Sequence, residues 1–275
     1  MKRMVWLFLV VCASCAAGPT PKAVYGSGAK VLRLATGSPG ELGLLERLVK
    51  PFCKHNDIRV EWFKAGSGAA LRMLREGVVD VVMVHAPEAK KQAVKQGWAL
   101  KRTLVGCNEF VIVGPKNDLA KVAEAKSAVD AYRRIAAAKA LFLSRGDNSG
   151  THKREMAIWR AVGIRPAGDW YVVTHKFMAA TLLEANRVGG YFMCDSSTWI
   201  ANRTRCGNLR LLFRGDRMLV NVYHALMRCG APTLAARFLE YLASPTAQHI
   251  IAEYGRRKFD QPLYHPASYA GMFDQ

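Results

Sequence analysis

Acidic side chains are scarce in this chain. It carries 21 Asp and Glu against 40 Lys and Arg, a formal net charge of +19. Anions of every size are drawn to such a molecule, whether nucleic acid, a membrane surface or a small ion. The basic residues are scattered, with no long run and no aromatic-interleaved motif, so no nucleic-acid partner is expected. Other absences narrow the field further. Beyond the N-terminal stretch that holds Cys12 and Cys15, no Cys-x-x-Cys and no Cys/His ligand spacing occurs, which argues against a metal site. Gly-x-Ser-x-Gly is missing too, because Gly66-Ser67-Gly68 has the wrong spacing. A secreted serine hydrolase using Ser67 or Ser149, with His85, His152 or His175 as base, is therefore the weaker reading, and no enzyme is expected. No fixed-period repeat appears, and no run beyond residue 17 is long and apolar enough to span a bilayer.

The N-terminus has a basic start, Met1-Lys2-Arg3, an apolar stretch from Met4 to Cys12, and small residues from Ala13 to Gly18. That is the pattern of a secretory signal peptide over 1–17, with a disordered lead-in expected over 18–30. The expected location is periplasmic or otherwise extracytoplasmic. A soluble product is favoured, with a lipid anchor at Cys15 as the alternative. Of the 7 cysteines, removal of Cys12 and Cys15 leaves Cys53, Cys107, Cys194, Cys206 and Cys229. An oxidising compartment permits disulfides, but an odd number leaves at least one thiol free.

At 275 residues, 51% of them hydrophobic, the chain is long enough for two ordinary domains, each with a core. Strand and helix patterns alternate throughout, which argues an α/β class with mostly parallel sheets. One device recurs. Val31 to Ala35 reads as a strand, runs into Thr36-Gly37-Ser38-Pro39-Gly40, and is followed by a helix from Glu41. Ile58 to Phe63 alternates as a strand and leads through Gly66-Ser67-Gly68 into a second helix. The most donor-rich case is Ser144-Arg145-Gly146-Asp147-Asn148-Ser149-Gly150-Thr151-His152, between an apolar run and a helix. Such corners gather unpaired backbone N–H groups at the positive end of a helix. Hydroxyls of Ser144, Ser149 and Thr151 and the charge of Arg145 add donors there, which is the chemistry of a small-oxyanion site. Asp147 is read as a turn residue bonding local N–H groups, His152 as a capping or packing residue, and His85 as a supporting residue at a strand end. Turns at the carboxyl ends of strands, drawn from two lobes, would place the ligand in the cleft between them.

These turns resemble those of the periplasmic tungstate-binding proteins of tungstate ABC importers, within the type II periplasmic-binding-protein fold. The likeness is carried by Ser144 to His152, by Val84-His85-Ala86-Pro87, by Asn108 to Pro115, by Ala179 to Leu182, and by Tyr241-Leu242-Ala243-Ser244-Pro245. It implies two lobes joined by two crossover hinge strands, one lobe over 31–111 plus 220–275 and the other over 112–219. It implies no cofactor, a monomer, and delivery of the ion to a membrane permease. It also implies ligand contacts from Ser67, Arg145, Ser149 and Thr151. Thr36 and Ser38 keep two hydroxyls in a first turn that is one residue shorter than the family's. Asp195-Ser196-Ser197-Thr198-Trp199 departs from the family's Asp-Arg-Gly-Thr-Trp.

Tungstate and molybdate are fully deprotonated near neutrality, so their receptor needs donors and no acceptor. Phosphate retains a proton there and wants a carboxylate, for which Asp147 and Asp195 are the obvious candidates. Tungstate is thus expected first, molybdate second, and phosphate or sulfate as the alternative. Charge-assisted bonds contribute about 1.5–3 kcal/mol each, so five or six outweigh an association cost of several kcal/mol.

Overall fold

A computed structural model describes residues 18–274. The signal peptide expected over 1–17, with the acceptor Cys15, lies outside the described residues. The chain opens with β1 (Ala23–Tyr25), β2 (Lys30–Thr36), α1 (Ser38–Glu41), α2 (Leu44–Asn56), β3 (Ile58–Lys64), α3 (Ser67–Arg75), β4 (Val81–Val84), α4 (Pro87–Lys95) and β5 (Ala99–Pro115). A second set follows: α5 (Ala128–Ala137), β6 (Phe142–Ser144), α6 (Gly150–Val162), β7 (Tyr171–Val173), α7 (Met178–Val188), β8 (Phe192–Asp195), α8 (Ser196–Asn202) and β9 (Leu209–Phe213). The chain returns through β10 (Val220–Arg228) to α9 (Thr233–Ala243), α10 (Pro245–Glu253), α11 (Arg256–Phe259), β11 (His265–Pro266) and α12 (Ala267–Ala270).

Side-chain alternation along the strands sorts the first set onto two faces of one sheet. Leu32 and Leu34 of β2 pack with Leu45 and Leu48 of α2 and Phe238 and Leu239 of α9. Their neighbour Ala35 packs on the opposite face with Phe63, with Leu71 and Leu74 of α3, and with Val82 and Val84 of β4. Every residue of β4 is buried, as a strand covered on both faces requires. A separate apolar centre forms in the second set, where Tyr132, Phe142 and Trp159 cluster with Leu182, Tyr191 and Phe192. The Tyr132 and Trp159 rings sit 4.5 Å apart.

The two centres share one long strand. Early residues of β5 pair with β10 and β11, while Phe110 to Pro115 pair with β8 and β9. β10 runs beside it, with Val220 opposite Glu109 and Asn221 opposite Asn108. Two polar residues, Asn108 and Glu109, stand in the middle of this strand. Asn108 is buried nevertheless, donating to Ser197 Oγ at 3.0 Å and accepting from Asn221 Nδ2 at 2.8 Å. Two buried amides satisfying one another let a polar stretch continue as a strand between the lobes.

Parallel pairing joins β2 to β3, β2 to β4 and β6 to β7. The pairings made by the shared strand β5 and by β10 are antiparallel, so the sheets mix both kinds more than simple strand–helix alternation implies. The lead-in expected to be disordered over 18–30 contains β1, which pairs with β3, Ala23 opposite Trp62. An edge strand with free N–H and C=O groups is a ready partner for such a segment. Cys53, Cys107, Cys194, Cys206 and Cys229 are all free thiols. Among the described residues no helix is long and apolar enough to cross a membrane.

Candidate functional site

Four strand-to-helix corners meet between the two apolar centres. The β2–α1 corner supplies Gly37 and Ser38, and the β3–α3 corner supplies Gly66 and Ser67. Arg145 and Ser149 come from the β6–α6 corner, and Asp195 caps α8 after β8. Gly37, Ser38, Glu41, Gly66, Ser67, Met83, His85, Arg145, Ser149, Phe177 and Tyr223 line a cavity of about 10 Å³. An ion of any size enters so nearly sealed a space only when the lobes part.

Local chemistry explains each corner. Ser149 caps α6, its hydroxyl accepting from His152 N at 3.3 Å, and His152 Nδ1 in turn accepts from Asn148 N at 3.1 Å. Asp147 Oδ1 accepts from Ser149 N at 3.1 Å, and its Oδ2 accepts from Arg145 Nη2 at 2.6 Å. Burial alone would raise the Asp147 carboxyl, but the Arg145 guanidinium and the Ser149 groups hold it below its usual value. Arg145 is itself only 4% exposed, its Nη1 lies 3.5 Å from Thr151 Oγ1, and its Nε has no partner. The guanidinium carbon sits 5.6 Å over the Phe177 ring. Ser67 opens α3, and its Oγ accepts from His85 N at 3.2 Å, leaving the hydroxyl proton free to donate.

His85 is half-buried between the lobes, its ring 5.0 Å from that of Tyr223. Desolvation first, then Lys90, Arg145 and Arg154, lowers its pKa to about 3. The imidazole is therefore neutral and a poor general base near pH 7. Two glycines are required by the close approach of the lobes. A Cβ on Gly68 would stand 2.7 Å from Asn148 O, and one on Gly150 would stand 2.5 Å from the His85 ring.

Ser67, Arg145 and Ser149 thus meet at the cavity with His85 beside them. Other expected contacts turn elsewhere. The Thr36 hydroxyl donates to Met83 O at 2.8 Å in a fully buried position and has no proton left for a ligand. Thr151 is buried behind Arg145 and does not line the cavity. Ser38 does line it, but its hydroxyl donates across the cleft to Asp195 Oδ2 at 3.0 Å. Ser144 bonds Glu155 Oε2 at 2.9 Å, away from the cavity, and burial raises the Glu155 carboxyl to about 7. Phe177, Tyr223 and Glu41 escaped the sequence reading. Phe177 does stand at the start of α7, a further strand-to-helix corner, but an apolar residue there carries no anion signal.

The carboxylates at the site are engaged by protein donors. Asp195 Oδ1 takes Ser197 Oγ and Thr198 N, and its Oδ2 takes Thr198 Oγ1 and Ser38 Oγ. Four donors fill the lone-pair capacity of a carboxylate. Glu41 is paired with Lys64 at 2.5 Å. The cavity therefore offers donors and a buried cation, with Glu41, ion-paired to Lys64, as its lining carboxylate.

A PBP superfamily domain matches residues 23–246. The chain belongs to that superfamily. The tungstate-binding protein TupA of Peptoclostridium acidaminophilum is 34% identical over 97% of this chain and 99% of its own. That places the chain in the TupA family as well. Among solved structures, the tungstate ABC transporter protein of Geobacter sulfurreducens matches at 35% identity and a TM-score of 0.75, covering 83% of this chain and all of that one. TupA of Desulfovibrio alaskensis G20 matches at 36% identity and a TM-score of 0.72, over 86% of this chain and 99% of that one. These relatives are named as binding and transport proteins, not enzymes.

Proposed function

We propose that this chain is the extracytoplasmic solute-binding protein of an ABC importer. It takes up a tetrahedral oxyanion between its lobes, tungstate first and molybdate second, and hands it to a membrane permease. The observation that carries the reading is the buried guanidinium of Arg145, with an unpartnered Nε, beside hydroxyls of Ser67 and Ser149 in a cavity whose lining carboxylate, Glu41, is ion-paired to Lys64. A naked dianion exchanges its water shell for such fixed donors at little reorganisation cost, while a protonated phosphate has to compete with Lys64 for the Glu41 carboxylate. The names of the relatives support the same ion. Asp147 holds the guanidinium from the side away from the ion, and Thr151 holds its other nitrogen. Ser38 stays bonded to Asp195 across the closed cleft. Hinge motion at the paired strands near Asn108 and Asn221 opens and closes the cleft.

Calorimetric titration of tungstate into the wild type and into Arg145→Ala tests the assignment. Tight binding by the wild type and a loss of at least a hundredfold in the variant are expected, about two charge-assisted bonds' worth. Affinity retained in Arg145→Ala puts the site elsewhere.

A further inference from the structure

The ring of His85 divides the space between the lobes. On one side lies the small cavity with Arg145. On the other lies a chamber of about 740 Å³, lined by α4, by the two shared strands, by α6 and by the chain end near Asp274. It is far larger than a tetrahedral oxyanion needs, and its charge is one-sided. Lys90, Arg102, Lys153, Arg154, Arg160 and Arg217 line it, against the carboxylates of Glu88 and Asp274 alone. Among the described residues no carboxylate lies within ion-pair distance of Lys153, Arg154, Arg160 or Arg217.

Its floor is built rather than incidental. Lys90 is only 1% exposed, with Nζ donating to Val222 O at 3.0 Å and lying 2.7 Å from His224 Nδ1. Burial first, then the Arg102 charge, lowers its pKa to about 7, a group that gains from an incoming anion. Arg102 Nε and His85 Nδ1 are both buried without a partner. One anion already rests on this floor. The Asp274 carboxylate, next to the end of the chain, bonds Arg102 and sits 2.9 Å from His224 Nε2. A tethered carboxylate on a mostly cationic floor marks a subsite that receives a carboxylate or a phosphate.

The geometry points to a second ligand site in this chamber, for a small organic or condensed anion bearing two or more negative groups. One group takes the floor at Lys90 and Arg102, displacing Asp274. The others reach Arg154 and Arg160 on α6, across the cleft. Because the ligand bridges both lobes, it favours their approach, independently of whether the inner cavity is filled.

The test titrates the full chain, saturated with tungstate, with pyrophosphate and separately with tricarballylate. Both probes occupy only the chamber if the site is real, and the tighter of the two names phosphate or carboxylate as its chemistry. One equivalent is expected, with Kd weakened about tenfold in Arg154→Gln, a loss of one charge-assisted contact. Tungstate affinity of that variant stays within twofold of wild type. Asp274→Asn removes the tethered competitor and strengthens the probe severalfold, while Asp260→Asn, which removes a carboxylate outside the chamber, leaves it unchanged. Probe binding survives in Arg145→Ala, so failure of the inner site is read separately from failure of this one. Absence of binding to the loaded protein, loss of binding in Arg145→Ala, or a Kd indifferent to both Arg154→Gln and Asp274→Asn overturns the site.

Discussion

Arg145 stacks 5.6 Å over Phe177, leans on Asp147 and keeps its Nε free of partners. Short-range chemistry of this kind was legible in the sequence, because Arg145, Asp147 and Ser149 organise one another within five residues. Hydroxyls whose partners are remote were not. Thr36 and Met83 are 47 positions apart, and only the folded pairing of β2 with β4 shows that one hydroxyl is spent on the other strand. Thr36→Val should therefore leave oxyanion affinity within twofold while lowering stability by about 1 kcal/mol, since Met83 O loses a buried donor. Chemical denaturation with a parallel titration checks both halves, and a large affinity loss returns Thr36 to the site. His85 makes a pH-dependent prediction. Its folded pKa is depressed from 6.5 to about 3, so below pH 6.5 the unfolded chain binds the proton that the fold refuses. Stability contributed by the neutral ring is present above pH 6.5 and is lost as pH falls toward 3. Denaturant midpoints at pH 7, 5.5 and 4.5 should fall less steeply in His85→Gln than in the wild type; equal slopes would contradict the assignment.

Among the elements, the β6–α6 corner is where pattern and structure agree most closely. An apolar strand, a glycine-bearing polar turn and a capped helix were all readable, and Ser149 is the observed cap. What the corner packs against was not readable. Gly150 is needed because the His85 ring, from another corner, would stand 2.5 Å from its Cβ. Gly150→Ala should cost about 1–3 kcal/mol through overpacking and weaken oxyanion binding by displacing the α6 N-terminus. Gly207 has nothing within 4 Å of its Cβ, so Gly207→Ala serves as the unaffected comparison in the same denaturation and titration series. A Gly150→Ala protein indistinguishable from it would mean the lobes are not held this closely. The continuity of β5 is hard to read from the sequence for a related reason. Polar residues mid-strand look like a break until Asn108, Asn221 and Ser197 are seen to satisfy one another. Likewise β1 forms because an edge of β3 is waiting for it, which a short segment does not announce.

At the scale of the whole molecule, the two-lobed α/β architecture follows from alternation of strand and helix together with too much apolar surface for one sheet. The net charge of +19 draws anions in general, but selection among them rests with the donor set. A nearly sealed cavity rich in donors, its lining carboxylate paired with Lys64, favours an ion that brings no proton, and that is the central claim. Competitive calorimetry at neutral pH with tungstate, molybdate, sulfate and phosphate tests it most directly. The account predicts submicromolar tungstate binding, molybdate next, and phosphate, the ion that carries a proton, far weaker. Tight phosphate binding with no response to tungstate would contradict it.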